Sequence, residues 1–297
     1  MIIFKETEKF ILKDVNVCIP KGTVVGIIGT SGAGKTTFLK LLCGLLKPEK
    51  GEVYTFHKEP VKNRKRNGNR LSFLFTDFPL MKSELSIEQN FLEQKLIYGM
   101  KENDFRQRYE RLGRILGFEE YLQSSPRVLS LGQRRRAELG LVFLRETELC
   151  VMDEPGIGLD LNAKECLKQL ILEKKEKGAT VLISSHDMSE IAETCDRILL
   201  LDQGRVVYYG DKNMLLQRYA PIKKCELSFE GEIPSFEDMP ILHYELDNNH
   251  LTITFHSHHI SAAEILSHIT SQTTILTVKM TDGNLVDTIK AMVGGER

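Results

Sequence analysis

Three groups of residues in this sequence have the types and the spacing for phosphate chemistry. The first is GTSGAGKTT, running from Gly29 through Thr30, Ser31, Gly32, Ala33, Gly34, Lys35 and Thr36 to Thr37. It fits G-x-x-x-x-G-K-[ST], a loop whose glycines let successive backbone amides converge on a phosphate group. In such a loop Lys35 reaches the β and γ phosphates of a nucleoside triphosphate and the Thr36 hydroxyl is placed to ligate magnesium. The helix start that follows adds its partial positive charge. The second group is LCVMDEP from Leu149, in which an apolar run delivers Asp153 and then Glu154. Asp153 would hold magnesium directly or through water, and Glu154, pointing elsewhere, would polarise an attacking water. The third is SSHD from Ser184, whose His186 is placed to reach the γ phosphate or that water. An Asp-Glu pair after a strand, or a lone His at a strand end, is ordinarily structural. Both gain weight from coexisting with the phosphate loop.

These groups can act together only if a scaffold brings them to one edge. The runs VVGII from Val24, LSFLF from Leu71, LCVMD from Leu149, ATVLISS from Ala179 and RILLLD from Arg197 supply it. Several are apolar at consecutive positions, as strands buried on both faces of a parallel sheet are. Helical patterns over 35–43, 86–98, 102–116, 134–145 and 162–177 alternate with them. The alternation predicts an α/β fold with a layered sheet and ligand groups at the C-terminal ends of its strands. After Tyr219 and Pro221 the texture changes. ELSF from Glu226, LTITF from Leu251 and ILTV from Ile275, with helical patterns over 261–269 and 284–292, predict a small α+β domain. The expected division is therefore 1–220 and 221–297.

Composition narrows the function classes. With 40 Lys plus Arg against 41 Asp plus Glu, the net charge is -1, which argues against nucleic-acid binding by bulk electrostatics. No window has the roughly 18 to 20 uncharged apolar residues of a membrane helix, and the N-terminus lacks the apolar stretch of a signal peptide. Six dispersed cysteines without a CxxC pair read as free thiols in a reducing compartment. The charge run KNRKRNGNR from Lys62 reads as a solvated loop.

Taken in order, GTSGAGKTT from Gly29, LSLGQ from Leu129, LCVMDEP from Leu149, GLD from Gly158 and SSHD from Ser184 resemble the nucleotide-binding subunit of ATP-binding-cassette (ABC) transporters. The resemblance covers about 220 residues, 1–220. It implies a P-loop ATPase core carrying a helical subdomain over about 84–145, with ATP and Mg2+ as its cofactors. It also implies a dimer, with a second copy or a sister ATPase, in which each ATP lies between the phosphate loop of one chain and the signature loop of the other. Ser130, Gly132 and Gln133 would then contact the γ phosphate held by the partner copy, Asp160 would shape the dimer contact, and Arg134 to Arg136 would be largely surface. A helix start at Arg134 would aim its dipole at the same phosphate. An aromatic residue ahead of the loop would stack on adenine, for which Phe4 is suited and Phe10 is the alternative. Phe143 reads as core.

Where the sequence departs from the family pattern, the expectation changes. Leu131 stands where LSGGQ has its first glycine, and LSLGQR with a following GIGLD resembles an exporter subgroup. Thr76 stands at the position of the usual glutamine, with Asp77 a conceivable substitute, and Gly156 stands where Thr or Ser is frequent. The segment 77–91, with Phe78, Pro79, Leu80 and Met81, would receive a membrane subunit, or else form a lid over the core. The expected function is an ATP-hydrolysing motor on the cytoplasmic face of a membrane, bound to separate transmembrane permease subunits. The alternatives are a soluble ABC ATPase with a non-membrane partner and a weakly hydrolysing ATP sensor. In the tail, His256, His258 and His259 read as a polar turn in preference to a metal site.

Overall fold

The computed structural model describes residues 2–3, 11–219, 222–231, 235–236 and 239–281. The chain divides into two compact units, Met1–Gly210 and Asp211–Arg297.

The first unit runs β1 (Ile2–Ile3), β2 (Val24–Gly29), α1 (Lys35–Leu42), β3 (Lys50–Gly51), α2 (Arg64–Gly68), β4 (Leu71–Leu74), α3 (Ile87–Ile97), α4 (Glu102–Leu116), α5 (Leu131–Phe143), β5 (Leu149–Asp153), α6 (Leu161–Glu176), β6 (Thr180–Ser184), α7 (Met188–Thr194), β7 (Arg197–Asp202) and β8 (Arg205–Asp211). It is an α/β fold. Six strands form a sheet in the order β4-β5-β6-β2-β7-β8, and the four pairs from β4 to β7 are parallel. The consecutive apolar residues of β5 and β6 are buried along their whole length, because a parallel sheet is covered on both faces. Register places the chemistry. Asp153 lies opposite Ser184, Ser184 lies opposite Ile27, and Gly29 lies opposite Leu201, so several strand ends meet at one edge. From β7 the chain reverses through Gln203 and Gly204, both in the left-handed region with φ 45 and 80, into the half-exposed edge strand β8.

Phe38 and Leu39 of α1 join Val25, Ile27, Val151, Leu182 and Leu199 of the sheet in the main core. Helices α3, α4 and α5 pack on one another around Phe91, Phe105, Tyr109 and Phe118, with the Phe91 and Phe118 rings stacked 4.8 Å apart. Gly140 of α5 makes room for that cluster, since a Cβ there would fall 2.6 Å from Phe118. Phe143 is buried, as expected of a core residue.

Three expectations are corrected. Helix α5 starts at Leu131, not Arg134, because Ser130 and Gln133 form a reciprocal capping box that apolar periodicity does not register. Arg135, expected at the surface, is 3% exposed and pairs with the equally buried Glu138 at 3.2 Å. Burial pulls its guanidinium below the usual arginine range, against the charge of Glu138. The KNRKRNGNR run is not all solvated loop. It contains α2, its Arg64 Nε donates to the Gly44 carbonyl at 2.6 Å, and Arg70 lies over the Phe56 ring and pairs with Glu148.

The second unit contains α8 (Lys212–Tyr219), β9 (Ile222–Glu230), β10 (Ile241–Asp247), β11 (His250–His256), α9 (Ala262–Thr270) and β12 (Thr274–Thr281). Its strands form an antiparallel sheet in the order β10-β11-β9-β12. Every second residue of β9 and β11 (Cys225, Leu227, Phe229, Leu251, Ile253, Phe255) packs with Ile265 and Ile269 of α9. At the end of β11 the rings of His256, its last residue, and His259 stack at 4.4 Å. The helix expected over 284–292 lies outside the described residues. Among the described residues the six cysteines form no disulfide, and four of them are buried. Among the described residues no helix is long and apolar enough to cross a membrane.

Candidate active site

The phosphate loop connects β2 to α1. Close packing dictates two of its three glycines: a Cβ on Gly29 would fall 2.1 Å from the Leu201 carbonyl oxygen. One on Gly34, where φ is 101, would fall 2.8 Å from the Ile11 carbonyl oxygen. Gly34 precedes α1 at its N-cap position and no side chain caps the helix. The first amides of α1 therefore remain free to meet an anion. Lys35 is 7% exposed and turns back over the loop, donating from Nζ to the Gly29 and Thr30 carbonyls at 2.8 and 3.1 Å. Burial lowers its pKa, while Glu154 and Asp153 pull the other way.

Asp153, at the end of β5, is 5% exposed and accepts two hydroxyl hydrogen bonds. Thr36 Oγ1 donates to Oδ2 at 2.6 Å and Ser184 Oγ to Oδ1 at 2.5 Å. Glu154 adopts φ 50, an unusual conformation for a branchless acidic residue that costs on the order of 1 kcal/mol or more. Its amide is held by Ser184, through the carbonyl at 3.1 Å and Oγ at 3.0 Å. Glu154 Oε2 accepts the His186 amide at 3.2 Å, and Oε1, buried without an aligned hydrogen bond, lies 3.1 Å from His186 Nε2. The His186 ring is exposed.

A second group forms around the start of α5. Ser130 Oγ accepts the Gln133 amide, and Gln133 Oε1 accepts the Ser130 amide. Gly132 lies so close to Gly158 that a Cβ would fall 2.6 Å from the Gly158 carbonyl oxygen. Asp160 caps α6 through the Ala163 amide and pairs with Arg136 at 2.6 Å. Among the described residues no hydrogen bond or ion pair joins Ser130, Gln133 or Asp160 to Lys35, Thr36 or Asp153. One chain thus brings Lys35, Thr36, Asp153, Glu154 and His186 together and holds the signature residues as a separate set. Phe4 and Phe10 lie outside the described residues.

The ABC transporter family matches residues 12–156. An energy-coupling factor transporter ATP-binding protein of Oenococcus oeni is 30% identical over 228 residues, 75% of this chain and 79% of that protein. This chain belongs to the ABC transporter family. The ABC transporter ATP-binding protein NatA of Bacillus subtilis is 29% identical over 209 residues, 70% of this chain and 85% of that protein. Two solved structures are similar as well. An ATP-binding subunit of an ABC transporter has TM-score 0.68 at 28% identity, covering 73% of this chain and 90% of that one. A dimeric ATP-binding cassette in a post-hydrolysis state with ADP and phosphate has TM-score 0.62 at 28% identity, covering 71% and 95%. The chain is the ATP-binding subunit of a transporter and hydrolyses ATP.

For this ABC ATPase the residues at hand fit a magnesium nucleotide. The fit rests on the uncapped helix, the paired Thr36 hydroxyl and Asp153 carboxylate, and Glu154 Oε1, which accepts no aligned hydrogen bond and lies beside the His186 ring. Asp77, the conceivable substitute for the usual glutamine, is held by Lys40 at 2.5 Å, and both it and Thr76 are exposed. Phe78 is 46% exposed, but Met81 is buried at 6%, so only the first part of that loop offers an open apolar surface. Sequence reasoning missed Ser184, fully buried between Asp153 and Glu154, and Arg136, which holds Asp160. A hydroxyl at the end of an otherwise aliphatic buried strand was the available signal for Ser184.

Proposed function

We propose that two copies of this ABC ATPase, or one copy and a sister subunit, close around ATP to drive separate transmembrane permease subunits, most simply for export. The supporting observation is the network from Thr36 through Asp153 and Ser184 to Glu154 and His186, formed at the mouth of an uncapped helix. In this reading the amides of residues 29–37 and Lys35 hold the β and γ phosphates. Thr36 and Asp153 hold magnesium, which supplies charge neutralisation on the phosphates. Glu154 accepts a proton from water as its oxygen forms the bond to the γ phosphorus. The bond from that phosphorus to the β,γ-bridging oxygen breaks, and ADP leaves with the electron pair. His186, already beside Glu154, orients the γ phosphate or the water. Ser130, Gly132 and Gln133 reach the γ phosphate bound by the partner subunit, and Asp160 shapes the contact beside it. Phe4 stacks on adenine.

Separate permeases would place the chain peripherally on the cytoplasmic side of the membrane, with Phe78 and Pro79 as the exposed apolar part of the docking loop. The exporter preference rests on LSLGQR and the added tail. Light scattering of a Glu154→Gln variant tests the dimer. Mass should double with magnesium ATP and remain monomeric when Ser130→Phe is added; a mass indifferent to ATP contradicts the closure.

A further inference from the structure

We propose that Glu190 is a positioning residue for hydrolysis, tying the loop that carries Glu154 to the loop that carries His186 in the space left open by Gly156. The proposal rests on the roles given above to Glu154 and His186. Glu190 sits in the first turn of α7, directly after the His186 loop. Ser185 Oγ donates to Glu190 Oε2 at 2.7 Å and accepts the Asp187 amide at 3.0 Å. Asp187 caps α7 through the Ser189 amide and pairs with Lys164 at 2.7 Å. His186 is therefore bracketed by two residues anchored to α7, and its own amide and ring meet Glu154. Removing the Glu190 carboxylate deprives Ser185 of its acceptor and leaves one side of that bracket loose.

The other end of the contact is Gly156, two residues past Glu154. A Cβ on Gly156 would fall 3.3 Å from Glu190 Oε2 and 3.5 Å from Oε1, so the carboxylate lies beside the space that a side chain at 156 would enter. Its Oε1 is buried and accepts no hydrogen bond. Burial raises the Glu190 pKa, with Asp187 and Glu154 adding to the effect against the Ser185 bond. A half-buried carboxylate with one buried, unsatisfied oxygen is unfavourable for folding and calls for a reason. Bridging the two loops that orient the water supplies one. It also accounts for glycine at position 156: a larger side chain would displace the carboxylate that ties the loops together.

Steady-state phosphate release and nucleotide affinity test this in the full chain. Glu190→Ala should lower kcat roughly ten- to hundredfold, the scale of losing positional order at a reacting centre. KM and ATP affinity should stay within about twofold, because the phosphate loop is untouched. Glu190→Gln, which keeps an acceptor for Ser185, should recover most of the lost turnover. Gly156→Val should resemble Glu190→Ala alone and add little to it in the double variant. Should Glu190→Ala fail to fold, Ser185→Ala removes one hydroxyl and should show the same loss confined to kcat. A kcat within twofold of wild type in the folded variant, or a loss carried by KM, overturns the proposal. If Glu154→Gln abolishes turnover while folded Glu190→Ala keeps kcat within twofold of wild type, only this inference fails. If Glu154→Gln retains turnover, the underlying reading fails first.

Discussion

Replacing Ser184 by alanine removes one hydroxyl oxygen that no solvent reaches, and its consequences can be worked out from the contacts. Ser184 is fully buried; its Oγ donates to Asp153 Oδ1 at 2.5 Å and accepts the Glu154 amide at 3.0 Å. The Glu154 amide keeps a second acceptor, the Ser184 carbonyl at 3.1 Å, so the substitution orphans only the carboxylate oxygen. A hydrogen bond to a charged group is worth about 1.5 to 3 kcal/mol, and a buried carboxylate suggests a loss of about 2 kcal/mol. For a unit of this size that lowers Tm by roughly 4 to 8 °C in a thermal melt. If the whole loss fell on the hydrolytic transition state, phosphate release would slow by roughly thirtyfold, an upper bound since Thr36 still holds Oδ2. A melt shifted by less than about 1 °C together with turnover within twofold would refute the view that Ser184 braces the acids.

Other perturbations discriminate further parts of the account. Gly34→Ala forces a Cβ to 2.8 Å from the Ile11 carbonyl oxygen at φ 101, and a fluorescent-nucleotide titration should show affinity lower by about two orders of magnitude. Glu138→Gln leaves the Arg135 charge buried without its counter-ion, and denaturant unfolding should report a loss of about 3 to 5 kcal/mol, largely regained in an Arg135→Met, Glu138→Leu double variant. Met81→Asp places a charge at a buried site and should destabilise by about 3 kcal/mol, whereas Phe78→Asp, at an exposed site, should change unfolding by no more than about 0.5 kcal/mol. Phe78→Asp should instead lower ATP turnover only when membrane subunits are present.

The strands of the parallel sheet were legible because burial on both faces leaves consecutive apolar residues, as in β5 and β6. The phosphate loop was legible because its chemistry is local: every residue it needs lies within nine positions. Two edge strands were not. Strand β8 alternates half-exposed residues and β10 is exposed along most of its length, so neither shows the run of buried apolar residues that marks β5 and β6. Burial imposed by tertiary packing escaped for a different reason. Arg135 lies among charged residues that look solvated, and only tertiary packing turns it inward against Glu138. The glycine at position 156 had no meaning along the chain, and acquires one from Glu190, brought beside it by α7.

The role of Glu154 is the centre of the account, and phosphate release in a single turnover measures it most directly. Wild type and Glu154→Gln are loaded with magnesium ATP at saturation, and bound nucleotide and released phosphate are counted together. The account predicts equal ATP loading, prompt phosphate release from wild type, and ATP retained intact on the variant. Phosphate release from Glu154→Gln at the wild-type rate would contradict it.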